Sequence, residues 1–259
     1  MVRRWLPRRL LHGEEATLVE HLDELRTRLI IVLCALIPAF LLAFAFHVQI
    51  MEWLTGPLAD DKKLVTLGVT EPFTTSVKVS LIAGLALALP VLLWQIWGFL
   101  APAVEPHFQR VVLVSVALAT ALFATGVVFM YYVVLPRALD FLTSYDAGLY
   151  DIQIRASYYY NFAALTLVAG GIAFLMPIFV LALVRLRVLT SDRLRSNRRI
   201  AFVILLVFAI LLPTVAPVSL AFEVVPLLLL FELSIWSSVL MERRWQRNWD
   251  EELAEAELP

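Results

Sequence analysis

The sequence predicts an all-α integral membrane protein with six transmembrane helices, kinked into a cup, whose fifth and sixth spans are short. Three observations carry this. Of the 259 residues, 61% are apolar and only 17% charged, with a mean hydropathy of +0.83; a soluble domain is nearer half apolar and a quarter charged. Four runs long enough to cross a hydrocarbon core, about 20 residues, carry no charge at all. The arginines are segregated to alternate connections, so the net charge of −1 says less than where the charges lie. A single cysteine, Cys34, permits no internal disulfide, and four scattered histidines have no metal-ligand spacing. No metal, cofactor or nucleic acid is expected.

The first four spans are residues 29–46, 79–104, 111–135 and 156–184. Residues 200–241 then contain only two charges, Glu223 and Glu232. As one straight helix they would reach about 60 Å at 1.5 Å per residue, twice the ~30 Å hydrocarbon core, so the chain must fold back. Pro213-Thr214-Val215-Ala216-Pro217 is the break, because two prolines remove donors and restrict the residues before them. Span five ends near Leu212. Its apolar part, 200–212, is short enough to require local bilayer thinning or snorkelling arginines at its cytoplasmic end. Pro38, Pro90, Pro177 and Pro226 lie inside spans. Each frees a carbonyl and bends its helix, which is the basis for the cupped body.

Sixteen of the 21 lysines and arginines lie before span one, in the 2–3 and 4–5 connections, or after span six. Lys62, Lys63, Lys78, Arg137 and Arg155 lie on the other side. The arginine-rich side is cytoplasmic, which places both chain ends in the cytoplasm and the protein in the cytoplasmic (inner) membrane. Arg3-Arg4 and Arg8-Arg9 look like an export signal, but Gly13-Glu14-Glu15, then Glu20, Asp23 and Glu24, separate them from the first apolar run. The N-terminus is therefore read as uncleaved. The expected organisation is a cytoplasmic extension at 1–16, a single six-span membrane domain at 17–245 and an acidic cytoplasmic tail at 246–259.

Thr17-Leu18-Val19-Glu20 fits a capping box. Leu18, Leu22, Leu25 and Leu29 form an apolar stripe at helical spacing, with Glu20, Asp23, Glu24, Thr27 and Arg28 off it. The segment reads as an amphipathic surface helix leading into span one. Its charged face is either solvated, with ordinary i, i+4 pairing of Glu24 and Arg28, or an acidic patch for a cationic partner. Glu223 and Glu232 are carboxylates at membrane depth, where such groups face a protein interior, water or a partner. Nine residues apart, they point to opposite helix faces and form no joint site. Glu232, the deeper, is either functional or a structural hydrogen bond within the bundle. Gly170-Gly171 suits close helix packing or a discontinuous transport helix. No phosphate-cradling loop, intramembrane nucleophile or acid pair is present, so no enzyme is expected.

Four segments then occur in order: His21-Leu22-Asp23-Glu24-Leu25-Arg26-Thr27-Arg28-Leu29, Thr70-Glu71-Pro72-Phe73, Gln95-Ile96-Trp97-Gly98-Phe99-Leu100-Ala101-Pro102 and Phe231-Glu232. Together they resemble the TatC family, the large core subunit of the twin-arginine protein translocase, over roughly residues 17–245. The resemblance implies binding of signal peptides of folded export substrates on the cytoplasmic side. It also implies recruitment of TatA-type and TatB-type single-span proteins, and transport by the proton-motive force without nucleotide hydrolysis in the membrane. The expected partners are those peptides, those proteins and the lipid bilayer, with a homo-oligomer as a further option. By the same resemblance Glu24 matches the first recognition glutamate, and Phe99 and Pro102 match other residues of that surface. An exposed carboxylate can take an arginine fork with both oxygens, whereas lysine binds as a point charge.

Three positions depart from the family pattern. The second recognition glutamate falls on Phe108, the polar residue of span four on Leu175, and the acid of the 5–6 turn near Ala216. Glu105 is the only acid in the 2–3 loop. It is expected to supply the second carboxylate, ahead of a helix opened by Pro106, with the Phe108 ring stacked on a guanidinium; pairing of Glu105 with Arg110 or water has equal weight. Glu223, seven residues after position 216 and on the same helix face, is expected to replace the missing turn acid as a contact for a partner helix. Two alternatives stand beside this reading. One is a small secondary transporter, which would need polar groups converging at the midplane and an internal repeat. The other is a divergent TatC-like scaffold that has lost signal recognition.

Overall fold

The computed structural model describes residues 18–58, 63–100, 108–146, 148–149, 152–185, 191–211, 220–221 and 224–240. The chain is mostly helical: α1 (Leu18–Ala45), α2 (His47–Thr55), α3 (Glu71–Leu100), α4 (Phe108–Phe129), α5 (Leu135–Ser144), α6 (Ala156–Ala173), α7 (Met176–Arg185), α8 (Ser191–Ser196), α9 (Arg198–Leu211) and α10 (Val224–Leu240). Among the described residues, Leu22–Ala45, Glu71–Gly98, Leu113–Ser144 and Ala156–Val184 are long and apolar enough to cross a membrane. They correspond to the four charge-free runs. The next apolar helix, α9, has 14 residues and is therefore about 21 Å long, short of a ~30 Å hydrocarbon core.

The prolines act differently from one another. Pro38 and Pro90 sit inside the unbroken helices α1 and α3. Pro177 accompanies a real interruption: α6 stops at Ala173 and α7 starts at Met176. A proline at 177 has no N–H to return to the Ala173 carbonyl, and the backbone steps across with Leu175 N donating to Ile172 O at 3.0 Å and Phe179 N to Leu175 O at 3.1 Å. Leu175 lies buried in this step. Before Pro136 the chain widens into a π-helical turn, Met130–Val134, in which Leu135 N–H reaches back to Met130 O. Arg137 Nη1 covers the neighbouring Val133 carbonyl at 2.7 Å. The strictly all-α expectation also needs a correction. Leu64–Val65 (β1) and Ile154–Arg155 (β2), in the 1–2 and 3–4 connections, pair as a two-stranded sheet.

The chain divides into two compact units. The first comprises Met1–Gly56, Val65–Ala121 and Arg155–Ala164 and is built on the packing of α1 against α3. Gly84 makes that packing close: a Cβ there would lie 2.8 Å from Phe40 Cα. The opposite face of α1 carries Leu22, Leu25 and Leu29, all exposed, so the apolar stripe is free for lipid and the charged face turns onto α3. Tyr159 Oη donates to Leu54 O at 2.7 Å, satisfying a carbonyl in the last turn of α2 that has no helical partner.

The second unit comprises Pro57–Leu64, Leu122–Ile154 and Leu165–Pro259. Its core joins Ala173, Leu205, Ala209, Leu227, Phe231 and Ile235, a four-residue spacing that lines one face each of α9 and α10. Gly170 and Gly171 serve close packing: a Cβ on Gly170 would clash with the Met130 side chain, and one on Gly171 would sit 2.6 Å from the Phe123 ring. Ser234 and Ser238 return their hydroxyls to Leu230 O and Ile235 O, so neither is left unpaired in an apolar setting.

Candidate functional site

The site forms where the first turns of α1 meet the last turns of α3. Glu24 and Arg28 lie four residues apart on α1, with the acid N-terminal, the favourable order for an ion pair on a helix. Arg28 Nη2 and Nε donate to Glu24 Oε1 at 2.5 and 3.1 Å, and both side chains are about one-fifth exposed. The pairing foreseen for a merely solvated face is therefore present, but it is not all that Arg28 does. Nη2 also donates to Gly98 O at 2.8 Å, and Nη1 to Gln95 O at 3.3 Å and Gln95 Oε1 at 3.5 Å. Gly98 O has no helical donor, because the residue four positions on is Pro102, which carries no N–H, and Arg28 supplies one. Glu24 is correspondingly less open than the sequence suggested. One of its oxygens is occupied, so a two-oxygen fork is not available while Arg28 stays in place.

Phe99 lies in the last turn of α3 and Phe108 is the first residue of α4. Pro102, Glu105 and Glu223 lie outside the described residues, as do Thr17 and Ala216. Glu232 stands apart from this group, on α10. Its Oε2 pairs with Arg198 Nη2 at 3.2 Å, which gives the carboxylate a partner at the start of α9. Arg198 opens α9, a position where a cation opposes the helix dipole and gains from a nearby acid.

Sequence reasoning missed a second polar cluster. Glu71, the first residue of α3, is buried at 5% exposure. Its Oε1 accepts from Arg155 Nε at 2.8 Å and Ser157 N at 3.2 Å, and its Oε2 from Leu67 N at 2.9 Å and Gly68 N at 3.2 Å. The carboxylate thus stands at the N-terminus of its own helix and also caps that of α6, both positive ends. The available signal was positional: an acid opening one span and an arginine just before another, on the same predicted side. Gln95 and Gly98 were quoted only as part of a motif, because their contacts to Arg28 join residues 67 and 70 positions apart.

Comparison with known proteins decides the family. The model of Sec-independent protein translocase protein (TatC) matches residues 20–226. The chain belongs to the TatC family. The TatCd protein of Bacillus subtilis is 34% identical over 235 residues, 91% of this chain and 96% of that protein. The TatC of Aquifex aeolicus is 37% identical over 233 residues, 88% and 96% of the two chains. A crystal structure of the twin-arginine translocase receptor TatC superposes with a TM-score of 0.75 at 36% identity, covering 84% of this chain and 99% of that one. The protein is a translocase subunit of a membrane and not an enzyme.

Proposed function

We propose that the chain is the signal-peptide-binding core subunit of a twin-arginine translocase. It takes the arginine pair of a folded substrate's signal at the cytoplasmic end of α1 and α3, recruits TatA-type and TatB-type proteins, and works by the proton-motive force. The observation that supports this most directly is the Glu24 carboxylate, fixed at that end with no bond to its Oε2 among the described residues. The test is crosslinking. A photoreactive twin-arginine signal peptide added to the purified protein in lipid is expected to label the residues around Glu24 and Phe99. A scaffold without recognition would show no labelling beyond that of a scrambled peptide.

In this reading α9 and α10 are spans five and six of a cupped body, with both chain ends in the cytoplasm of a cell with this inner-membrane protein. The arginine bias supports that orientation. In a protein whose Cys34 is replaced by serine, single cysteines placed within 48–75, 136–155 and 213–217 are expected to react with an impermeant reagent in intact cells. Labelling of Asp192→Cys from outside would contradict the topology.

Glu105 serves as the second carboxylate, with Phe108 stacked beside it, and Glu223 contacts a partner helix. Two adjacent arginines need two acceptors, and Glu24 with one oxygen occupied serves only one. A double-mutant cycle combining Glu105→Gln with lysine at each signal arginine is expected to give a coupling of about 0.5–3 kcal/mol at one of the two. Zero coupling at both would remove Glu105 from recognition.

A further inference from the structure

Glu24 and the end of α3 do not belong together by their own chemistry. A carboxylate offers only acceptors, and the last carbonyls of a helix are acceptors at the negative pole of its dipole. Left alone, the carboxylate would turn away to water. Arg28 lies between the two. Its Nε and Nη2 hold Glu24 Oε1, while Nη2 and Nη1 hold Gly98 O and Gln95 O. Every carboxylate contact falls on the same oxygen, and Oε2 carries none among the described residues. The Gly98 and Gln95 carbonyls take up part of the arginine's charge. The pair is therefore not fully neutralised from the standpoint of an incoming cation.

Gly98 makes the arrangement possible. A Cβ at that position would clash with Arg28 Nη1 and lie 3.2 Å from Cζ. The clash is with the far end of a flexible side chain, not with backbone. A methyl group at 98 would displace the guanidinium and leave both helices where they are.

Resting on the reading of Glu24 as the signal-peptide carboxylate, we propose that Arg28 is the positioning residue of this site. It fastens Glu24 to the end of α3 by Oε1 and leaves Oε2 as the acceptor for a guanidinium of the signal. Arg28 does not touch the signal; it acts through Glu24. Recognition at Glu24 then uses a single oxygen.

The experiment titrates a fluorescent twin-arginine signal peptide against the full chain in lipid nanodiscs, with affinity expressed per folded molecule. Glu24→Gln, Arg28→Ala, Arg28→Lys, Gly98→Ala and the double variant Glu24→Gln/Arg28→Ala are compared. Arg28→Ala is expected to weaken binding about 10-fold or more, the range for hydrogen bonds to charged groups. In that background Glu24→Gln adds less than about two-fold, because the two act as one unit. Arg28→Lys, which can still bridge acceptors as a point charge, recovers part of the loss. Gly98→Ala weakens binding several-fold with unchanged melting, and carries the test should Arg28→Ala fail to fold. A purely structural arginine would give additive losses, which overturns the proposal. Tighter binding by Arg28→Ala would also overturn it, since Arg28 would then compete with the signal. A Glu24→Gln effect with neutral Arg28 and Gly98 variants removes the positioning role alone; no effect of Glu24→Gln removes the recognition reading and this proposal with it.

Discussion

Glu71→Ala is expected to lower stability by about 1–3 kcal/mol, measured as unfolding in detergent. The removed carboxylate holds four donors. Arg155 is 38% exposed at its side chain and can turn to water, so little of the cost lies there. The backbone N–H groups of Leu67, Gly68 and Ser157 cannot turn away, but Leu67 and Gly68 are exposed and can be met by water, so the cost falls chiefly on Ser157 N–H, about 1–3 kcal/mol for a donor left unpaired. Glu71→Gln keeps a neutral acceptor and is expected to lose about half as much. The damage should stay local. Gln95 lies 24 residues further along α3, about 36 Å away at 1.5 Å per residue, so the folded fraction should bind signal peptide normally. An alanine variant with native melting would show that the carboxylate is dispensable; one that melts normally but loses signal binding would place Glu71 in the recognition path instead.

Gly84→Val is expected to harm stability and binding together. The new Cβ would meet Phe40 Cα at 2.8 Å, and backbone cannot give way as a side-chain tip can. The helices must separate, at a cost of about 1–3 kcal/mol for overpacking. Separation also draws Arg28 from Gln95 and Gly98, which it reaches only because α1 and α3 are in contact. Spin labels on α1 and α3 should therefore report a larger distance, and signal affinity should fall even per folded molecule. A valine variant with native spacing and melting would contradict this view of the α1–α3 seam.

Much of the fold was legible because a membrane imposes a simple rule. An uncharged run of the right length has to be a helix with its backbone bonded internally, and the four such runs became the four long apolar segments. The interruption at Pro177 was legible for the same local reason, a missing donor. The π turn before Pro136 was less so, since a proline near a helix end is ordinarily tolerated. The small sheet joins two loops about 90 residues apart, and nothing in Leu64-Val65 or Ile154-Arg155 marks them as a pair. At the site, residue types and helix faces were readable on α1: Glu24 and Arg28 share a face by spacing alone. Their relation to α3 was not, because periodicity ranks the faces of a helix without saying which one meets a neighbour. The leucine stripe marks one side of an amphipathic helix without saying what covers it. In a membrane it is the exposed one, and the charged face is the one that packs.

The recognition role of Glu24 is tested most directly by the affinity of two signal peptides, one with paired arginines and one with paired lysines, for the wild-type chain and for Glu24→Gln in nanodiscs. The wild type is expected to prefer the arginine peptide. Glu24→Gln is expected to weaken arginine-peptide binding by about 1–3 kcal/mol, the scale of a charge-assisted hydrogen bond, and to narrow the gap between the two peptides. Equal binding of the arginine peptide by wild type and a folded Glu24→Gln would contradict it.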